Sequence, residues 1–293
     1  MLRSPNRTLL GTLLLTASAV AYSSAGFFTR LIEVDAWTLL FWRGLFAGAF
    51  LAAMVAVQER GRFVQAFRDI GVTGLLVAVF SAVATVSFLN AMRMTSVADV
   101  MVVDAAIPFI TAGVAWLLIG ERERARTLLA SLAAVGGVAI MATTALKEGR
   151  ILGDLLALVM AVLMSTVMVL IRGKRGVNMV PAVCLSAFLC ALVVAPVAHP
   201  AKVDLADLGL LALFGMGQFD MGLLLLALGT PFVSATRGAL IGVLQAPLGT
   251  LWVWLAFSER PAHATLVGGA VVLAAVVSDM LPLERIGRLR PAE

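Results

Sequence analysis

One sequence unit occurs twice in this chain of 293 residues, and each copy holds an odd number of hydrophobic spans. Residues 91–122, with Pro108 inside an apolar run that ends in Gly120-Glu121-Arg122, recur as residues 227–260, with Pro247 ahead of Ser258-Glu259-Arg260. The proline stands 13 residues before Glu121 in the first copy and 12 before Glu259 in the second. The starts of the copies match too: Gly11, Ala19, Ser23 and Arg30 lie 142 residues before Gly153, Ala161, Ser165 and Arg172. Five spans per copy oblige the second to begin on the opposite membrane face, which predicts an inverted repeat.

Composition sets the solvent. Hydrophobic residues make up 61% of the chain and charged residues 13%, whereas a soluble domain carries about a quarter of its residues charged. Apolar runs predict spans at 8–30, 36–57, 70–92, 95–119, 126–146, 151–171, 178–198, 205–228, 230–257 and 262–281, each near the ~20 residues that cross a hydrocarbon core. The expected fold is an all-α polytopic membrane protein with ten transmembrane helices as two inverted five-helix repeats. The repeats cover residues 8–146 and 151–281 of one integrated membrane domain, and 283–293 form a cytoplasmic tail. The loops are too short for a soluble domain, so any activity has to reside in the bundle.

The net charge of +5 reflects topology. With the N-terminus inside, fourteen Lys and Arg residues fall on the cytoplasmic face and six on the other. The positive-inside rule therefore places both termini in the cytoplasm and leaves no basic surface for nucleic acid. The first span has the look of a secretory signal, but residues 11–30 have their counterpart at 153–172, mid-chain, so the span is expected to persist. Cys184 and Cys190 are six apart on one helix, about 9 Å along its axis, too far for a disulfide. His199 and His263 lack ligand spacing, so neither metal nor cofactor is expected.

Charges inside spans are costly, about 2.5–3.5 kcal/mol each on the lenient scales, and so are candidate functional groups. Arg43 and Asp104 both fall in the outer halves of their spans and could meet. Asp220 and Arg237 fall at similar distances from the short connection at Gly229, which would bring them level. Either pair could instead be a neutral staple between helices. Asp220 and Arg237 align with Ala84 and Met101 of the first copy, so these charges are additions to the shared frame and point to an asymmetric ligand or a coupling ion. Tyr22, Phe80, Ser81, Met101, Met164, Gln218 and Gln245 fall near the midplane, where repeat-built transporters hold substrate. With Asp104, Asp220 and Arg237 they are the candidate substrate-binding residues, although Phe and Met at helical spacing equally describe packing. Gln218 and Asp220 lie about 200° apart round a helix, so one narrow cavity cannot take both. Pro108 and Pro247 each remove a backbone hydrogen bond in mid-span and are candidate hinges. Gly136-Gly137 and Gly268-Gly269, at similar depth, would let the last helices of the two copies approach closely.

The ten spans in two halves, the Gly-Glu-Arg and Ser-Glu-Arg ends after the proline-bearing helices, and Trp42-Arg43 in span two together resemble the EamA family of the drug/metabolite transporter superfamily. The likeness runs from about residue 8 to 281, and within the family the chain looks most like bacterial aromatic amino-acid exporters. The resemblance implies a multi-pass carrier of the bacterial inner membrane. It would export small metabolites, with amino acids, aromatic or other neutral ones, as its small-molecule partners, from a central cavity between the halves. No phosphate-binding loop motif is present, so energy would come from gradients. No nucleophile-and-base constellation or Gly-x-Ser-x-Gly supports an enzyme. A channel or facilitator is the alternative, against which stand the sparse and unsymmetrical polar groups of the interior.

Overall fold

A computed structural model describes residues 5–95, 97–142, 151–174, 176–258 and 260–280. The expected tail at 283–293, the last residues of the first repeat at 143–146, and Glu259 lie outside the described residues. In chain order the helices are α1 (Pro5–Ser23), α2 (Ala25–Leu31), α3 (Ala36–Glu59), α4 (Phe63–Asp69), α5 (Gly71–Met94), α6 (Val97–Ala105), α7 (Ile107–Ile119) and α8 (Ala125–Ala142). They continue with α9 (Ile151–Gly173), α10 (Val180–Val194), α11 (Leu205–Leu213), α12 (Met221–Gly229), α13 (Ala235–Gly242), α14 (Gln245–Phe257) and α15 (His263–Met280). Phe214–Asp220 joins α11 to α12 as a π-helical turn. No strand occurs among the described residues.

Among the described residues, seven helical runs can cross a membrane by length and composition: α3, α5, α8, α9, the run Leu205–Phe232, the run Ala235–Phe257, and α15. Two shorter apolar helices, α7 and α10, complete the interior. This is a multi-pass membrane protein. The difference from ten has physical causes. The first helix is 19 residues long but diluted by Thr and Ser. The fourth apolar segment is interrupted into α6 and α7, and α10 has only 15 residues.

Both interruptions follow from proline. The ring of a proline collides with the carbonyl four residues back, which for Pro108 is that of Asp104 and for Pro247 that of Val243. The helix axis breaks there in each case. At the first break the amide of Ala106 is shared between the carbonyls of Val102 and Val103, at 3.2 and 3.0 Å. At the second, Val243 and Leu244 turn back to the residues three before them, Leu240 and Ile241. Each half of the chain thus supplies one broken helix to the middle of the bundle.

Packing between the halves is reciprocal. Helix α3 packs on α10 and α8 on α15, while α1 packs on α12 and α5 on α9. Exchanging the halves maps this pattern onto itself. The α8–α15 crossing is glycine-made: a Cβ on Gly137 would lie 2.7 Å from the Gly268 carbonyl oxygen, and one on Gly268 would press into the Gly137 carbonyl.

The two ends of the bundle differ. At the end where α1 begins, here the proximal end, Arg172 is fully buried and donates Nη2 and Nε to the two Glu121 carboxylate oxygens at 2.9 and 3.2 Å. Its Nη1 reaches the Pro231 carbonyl at 2.6 Å, so one guanidinium clasps α9 to the segments after α7 and α12. Close by, Arg237 Nε meets Asp279 Oδ2 at 2.8 Å, Arg237 Nη2 donates to the Asp279 carbonyl at 2.7 Å, and Thr127 donates to Asp279 Oδ1 at 2.8 Å. The distal end has no buried arginine clasp among the described residues. Its links include hydrogen bonds from Thr95 to Asp154 at 2.7 Å, from the His199 amide to Thr38 at 2.8 Å, and from Trp252 to Ser23 at 2.9 Å, with an exposed His199–Asp35 contact at 3.9 Å.

Two stability predictions follow from these contacts. Gly268→Ala should lower the thermal midpoint of the detergent-purified protein, corresponding to about 1–3 kcal/mol of overpacking, whereas Gly136→Ala, whose added carbon meets nothing within 4 Å, should not lower it. Equal effects at both positions would show that the close crossing is not what matters. Arg172→Met should cost about 3–5 kcal/mol, since the partly buried Glu121 carboxylate loses the guanidinium that pairs it, and the double change with Glu121→Leu should recover much of that loss. A double variant no more stable than the single one would remove the clasp as the explanation.

Candidate functional site

A cavity of about 610 Å³ lies in the distal half of the bundle, within the range of small-molecule sites. Its walls come from both halves of the chain: Tyr22 and Ser23 of α1, Arg43 of α3, Thr85 and Phe88 of α5, Met101 and Asp104 of α6, Met160 and Met164 of α9, Gln218 of the π-turn, and Gln245, Gly249, Thr250 and Val253 of α14. Arg260 and Pro261, in the loop after α14, line its rim, so it faces the distal end. Apolar side chains dominate the walls, and the polar groups are few and spread over several helices.

The floor is made by the two broken helices. Asp104, next to last in α6, accepts a hydrogen bond from Gln245 Nε2, the first residue of α14, at 2.8 Å. Below this bond α7 packs against α13, and that contact closes the bundle toward the proximal end. Above it α6 and α14 flank the open space.

A second polar group stands where the π-turn passes α1 and α3. Gly215 lies so near α3 that a Cβ would fall 2.8 Å from the Arg43 carbonyl oxygen, which leaves the wide turn pressed against that helix. The Arg43 guanidinium carbon sits 5.7 Å from the centre of the Phe214 ring, a cation–π distance. Gln218 donates to the Tyr22 carbonyl at 3.1 Å, while its own amide oxygen is buried with no hydrogen-bond partner among the described residues. The Tyr22 ring lies over Gly222, where a Cβ would come within 3.1 Å.

Of the residues expected from sequence, Tyr22, Met101, Asp104, Met164, Gln218 and Gln245 line this cavity. Four do not. Phe80 packs into a separate apolar cluster with Ile70, Val77 and Ile171, and Ser81 is buried in the helix interface. The cavity is displaced toward the distal end, so α5 presents Thr85 and Phe88, four and seven residues further along, in place of residues at midplane depth. Arg237 belongs to the proximal ion pair with Asp279. Asp220 is fully buried behind the cavity wall.

Both expected charge pairings are corrected. Arg237 sits in the first turn of α13 near the proximal end, whereas Asp220 lies nine residues before Gly229, about 13 Å deeper along its helix. Asp279, at the end of α15, is the carboxylate at the height of Arg237. Asp104 takes its hydrogen bond from Gln245, not from Arg43. Sequence reasoning also passed over Thr85, Phe88, Met160, Thr250 and Arg260 as wall residues. Thr85 and Phe88 had a legible signal, since they share a helical face with Ser81.

No curated protein matches the sequence at a significant level. A solved structure titled only as the crystal structure of a protein superposes with a TM-score of 0.76 at 20% identity, covering 94% of this chain and 98% of that one. At that identity the likeness shows the fold alone. Residues 9–143, nearly the whole first half of the chain, match the EamA-like transporter family, whose members are membrane transporters and not typical enzymes.

Proposed function

We propose that the chain is a secondary-active, alternating-access exporter of small zwitterionic metabolites, amino acids with aromatic or other apolar side chains foremost, in a bacterial inner membrane with both termini cytoplasmic. The observation that carries this reading is a cavity of amino-acid scale that faces one end of the bundle while two proline-broken helices, one from each repeat, meet below it. A frame of ten spans in two inverted repeats supplies the second state, since exchanging the roles of the halves would part α7 from α13 and bring α6 against α14. Pro108 and Pro247 mark where each helix would bend.

The wall chemistry supports the substrate class. Arg43 offers a cation for a carboxylate and Asp104 an anion for an ammonium group, and both line one cavity. Phe88, Met101, Met160 and Met164 give an adaptable apolar wall for a side chain. Asp104 also ties α6 to α14 through Gln245, so a substrate ammonium that takes over that carboxylate would loosen the floor from within. The substrate's charges would thereby be felt by the moving parts.

Proteoliposomes loaded with a panel of amino acids test the proposal. Labelled uptake of at least one neutral apolar amino acid should accelerate when the lumen is preloaded with the same compound, and Arg43→Gln and Asp104→Asn should each weaken its apparent affinity about tenfold or more, the loss of one charge-assisted hydrogen bond. Uptake without acceleration by preloading would favour a channel, and no uptake across the panel would remove the substrate class. Orientation is checked in a background lacking Cys184 and Cys190. A cysteine at His263, the first residue of α15 at the distal end, should react with an impermeant reagent outside intact cells and one at Arg62 should not; the reverse pattern would invert the proposed topology.

A further inference from the structure

Among the described residues, Asp220 is a fully buried charged side chain that neither the cavity nor the clasps use. It is 0% exposed, and both of its carboxylate oxygens lack a hydrogen-bond partner among the described residues. The titratable and charged groups that act on it come from three packed helices: Tyr22 of α1, Arg43 of α3 and Cys184 of α10. None of them is hydrogen-bonded to it. An ionised carboxylate buried without hydrogen bonds costs several kcal/mol, and a charge nearby but out of contact offsets only part of that. The neutral acid is the form that this environment accommodates.

Its position makes that proton exchangeable. Gln218, two residues before Asp220, lines the cavity, and so does Tyr22, whose ring packs over Gly222 two residues after it, so the turn that carries the carboxyl is itself part of the wall of the space that faces the distal side. Asp220 is also the last residue of the π-turn. Such a turn holds one residue more than an α-helical turn, and its relaxation would rotate the following helix by about one residue's step, 100°. That is enough to change what the carboxyl faces.

We propose that Asp220 is the proton-binding group of this protein, protonated from the distal side in the conformation described here and deprotonated on the proximal side, so that one proton enters for each substrate exported. This rests on the exporter reading above. After substrate leaves the distal cavity, Asp220 takes a proton from the water there. The frame then closes around the neutral acid and opens proximally, where the carboxyl gives the proton to the cytoplasmic water. The ionised carrier accepts the next substrate, and the return step carries that substrate outward without a proton.

Two measurements on the full chain test this. Infrared difference spectra across a pH titration of the purified protein, with no substrate added, should show the C=O stretch of a protonated carboxyl near neutral pH; Asp220→Asn should abolish it and Asp104→Asn should retain it. A band that survives Asp220→Asn would overturn the proposal whatever the substrate is. In proteoliposomes with L-phenylalanine as probe, an inward proton gradient should accelerate efflux from the wild type. Asp220→Asn, which fixes the group in its neutral form, should lose that acceleration, and Asp220→Glu should restore coupling. Coupling intact in Asp220→Asn would refute the proton role. Failure of the wild type to move phenylalanine would count against the substrate reading, and the infrared result would still decide the proton site.

Discussion

The contact on which this structure depends is the packing of α7 against α13. These are the halves of the two broken helices that point toward the proximal end, and they meet where Pro108 and Pro247 have already cut the axes. An unbroken helix in either place would have to run straight past its partner, and the space above the contact could not open without parting the bundle below it. Because the axes break at Asp104 and Val243, the distal halves can diverge while the proximal halves stay packed. The cavity is the volume between those diverging halves, with the Asp104–Gln245 hydrogen bond at its floor.

The rest of the interior is arranged so that polar groups are satisfied locally. The hydroxyls of Thr16, Thr85, Thr230 and Thr250 bond back to carbonyls four residues earlier on their own helices, those of Thr12, Ser81, Leu226 and Ala246. In a low-dielectric interior this satisfies a donor without help from another helix, and it removes these groups from competition for a substrate or for a neighbouring helix. Among the described residues, side chains that bond across helices or keep a buried atom without a hydrogen bond include Asp104, Gln218, Asp220 and Gln245 in and behind the cavity wall, and Arg172, Glu121, Arg237 and Asp279 at the sealed end.

Much of this was legible in the sequence, and the limits have identifiable causes. Apolar periodicity and the repeat gave the helices, the proline breaks and the glycine crossing of α8 with α15, since each is a local property or one copied between the halves. Six cavity residues were found because depth along a span is a one-dimensional quantity that a sequence can count. Charge partners were missed because pairing needs both height and rotation. Arg237 looked level with Asp220 when both were counted from Gly229, but a 3₁₀ turn at Thr230–Phe232 and the early start of α13 keep Arg237 near the surface, and the π-turn re-aims everything before Met221. No residue type announces a π-turn, although the glycines at 215 and 217 permit one. Phe80 and Ser81 were missed placements of another kind, since midplane depth was the wrong height for a cavity that sits off centre.

The sequence repeat leaves its two broken helices unequal. Arg237 and Met101 hold equivalent positions on the two broken helices. In the conformation described, the first is locked to Asp279 at the sealed end and the second stands in the cavity wall. Closing the distal end in the mirror arrangement would bury Met101 where the proximal end buries an ion pair, so the two closures are held by different forces. Proximal closure relies on charges whose partners must be exact in geometry, and it is lost when either partner is solvated. Distal closure would rely on flexible apolar packing that tolerates a range of shapes. On the exporter reading this asymmetry matches the direction of transport. The side that must admit one cargo from a crowded cytoplasm is gated by geometry-demanding ion pairs, and the side that only has to release it is gated by methionine and phenylalanine.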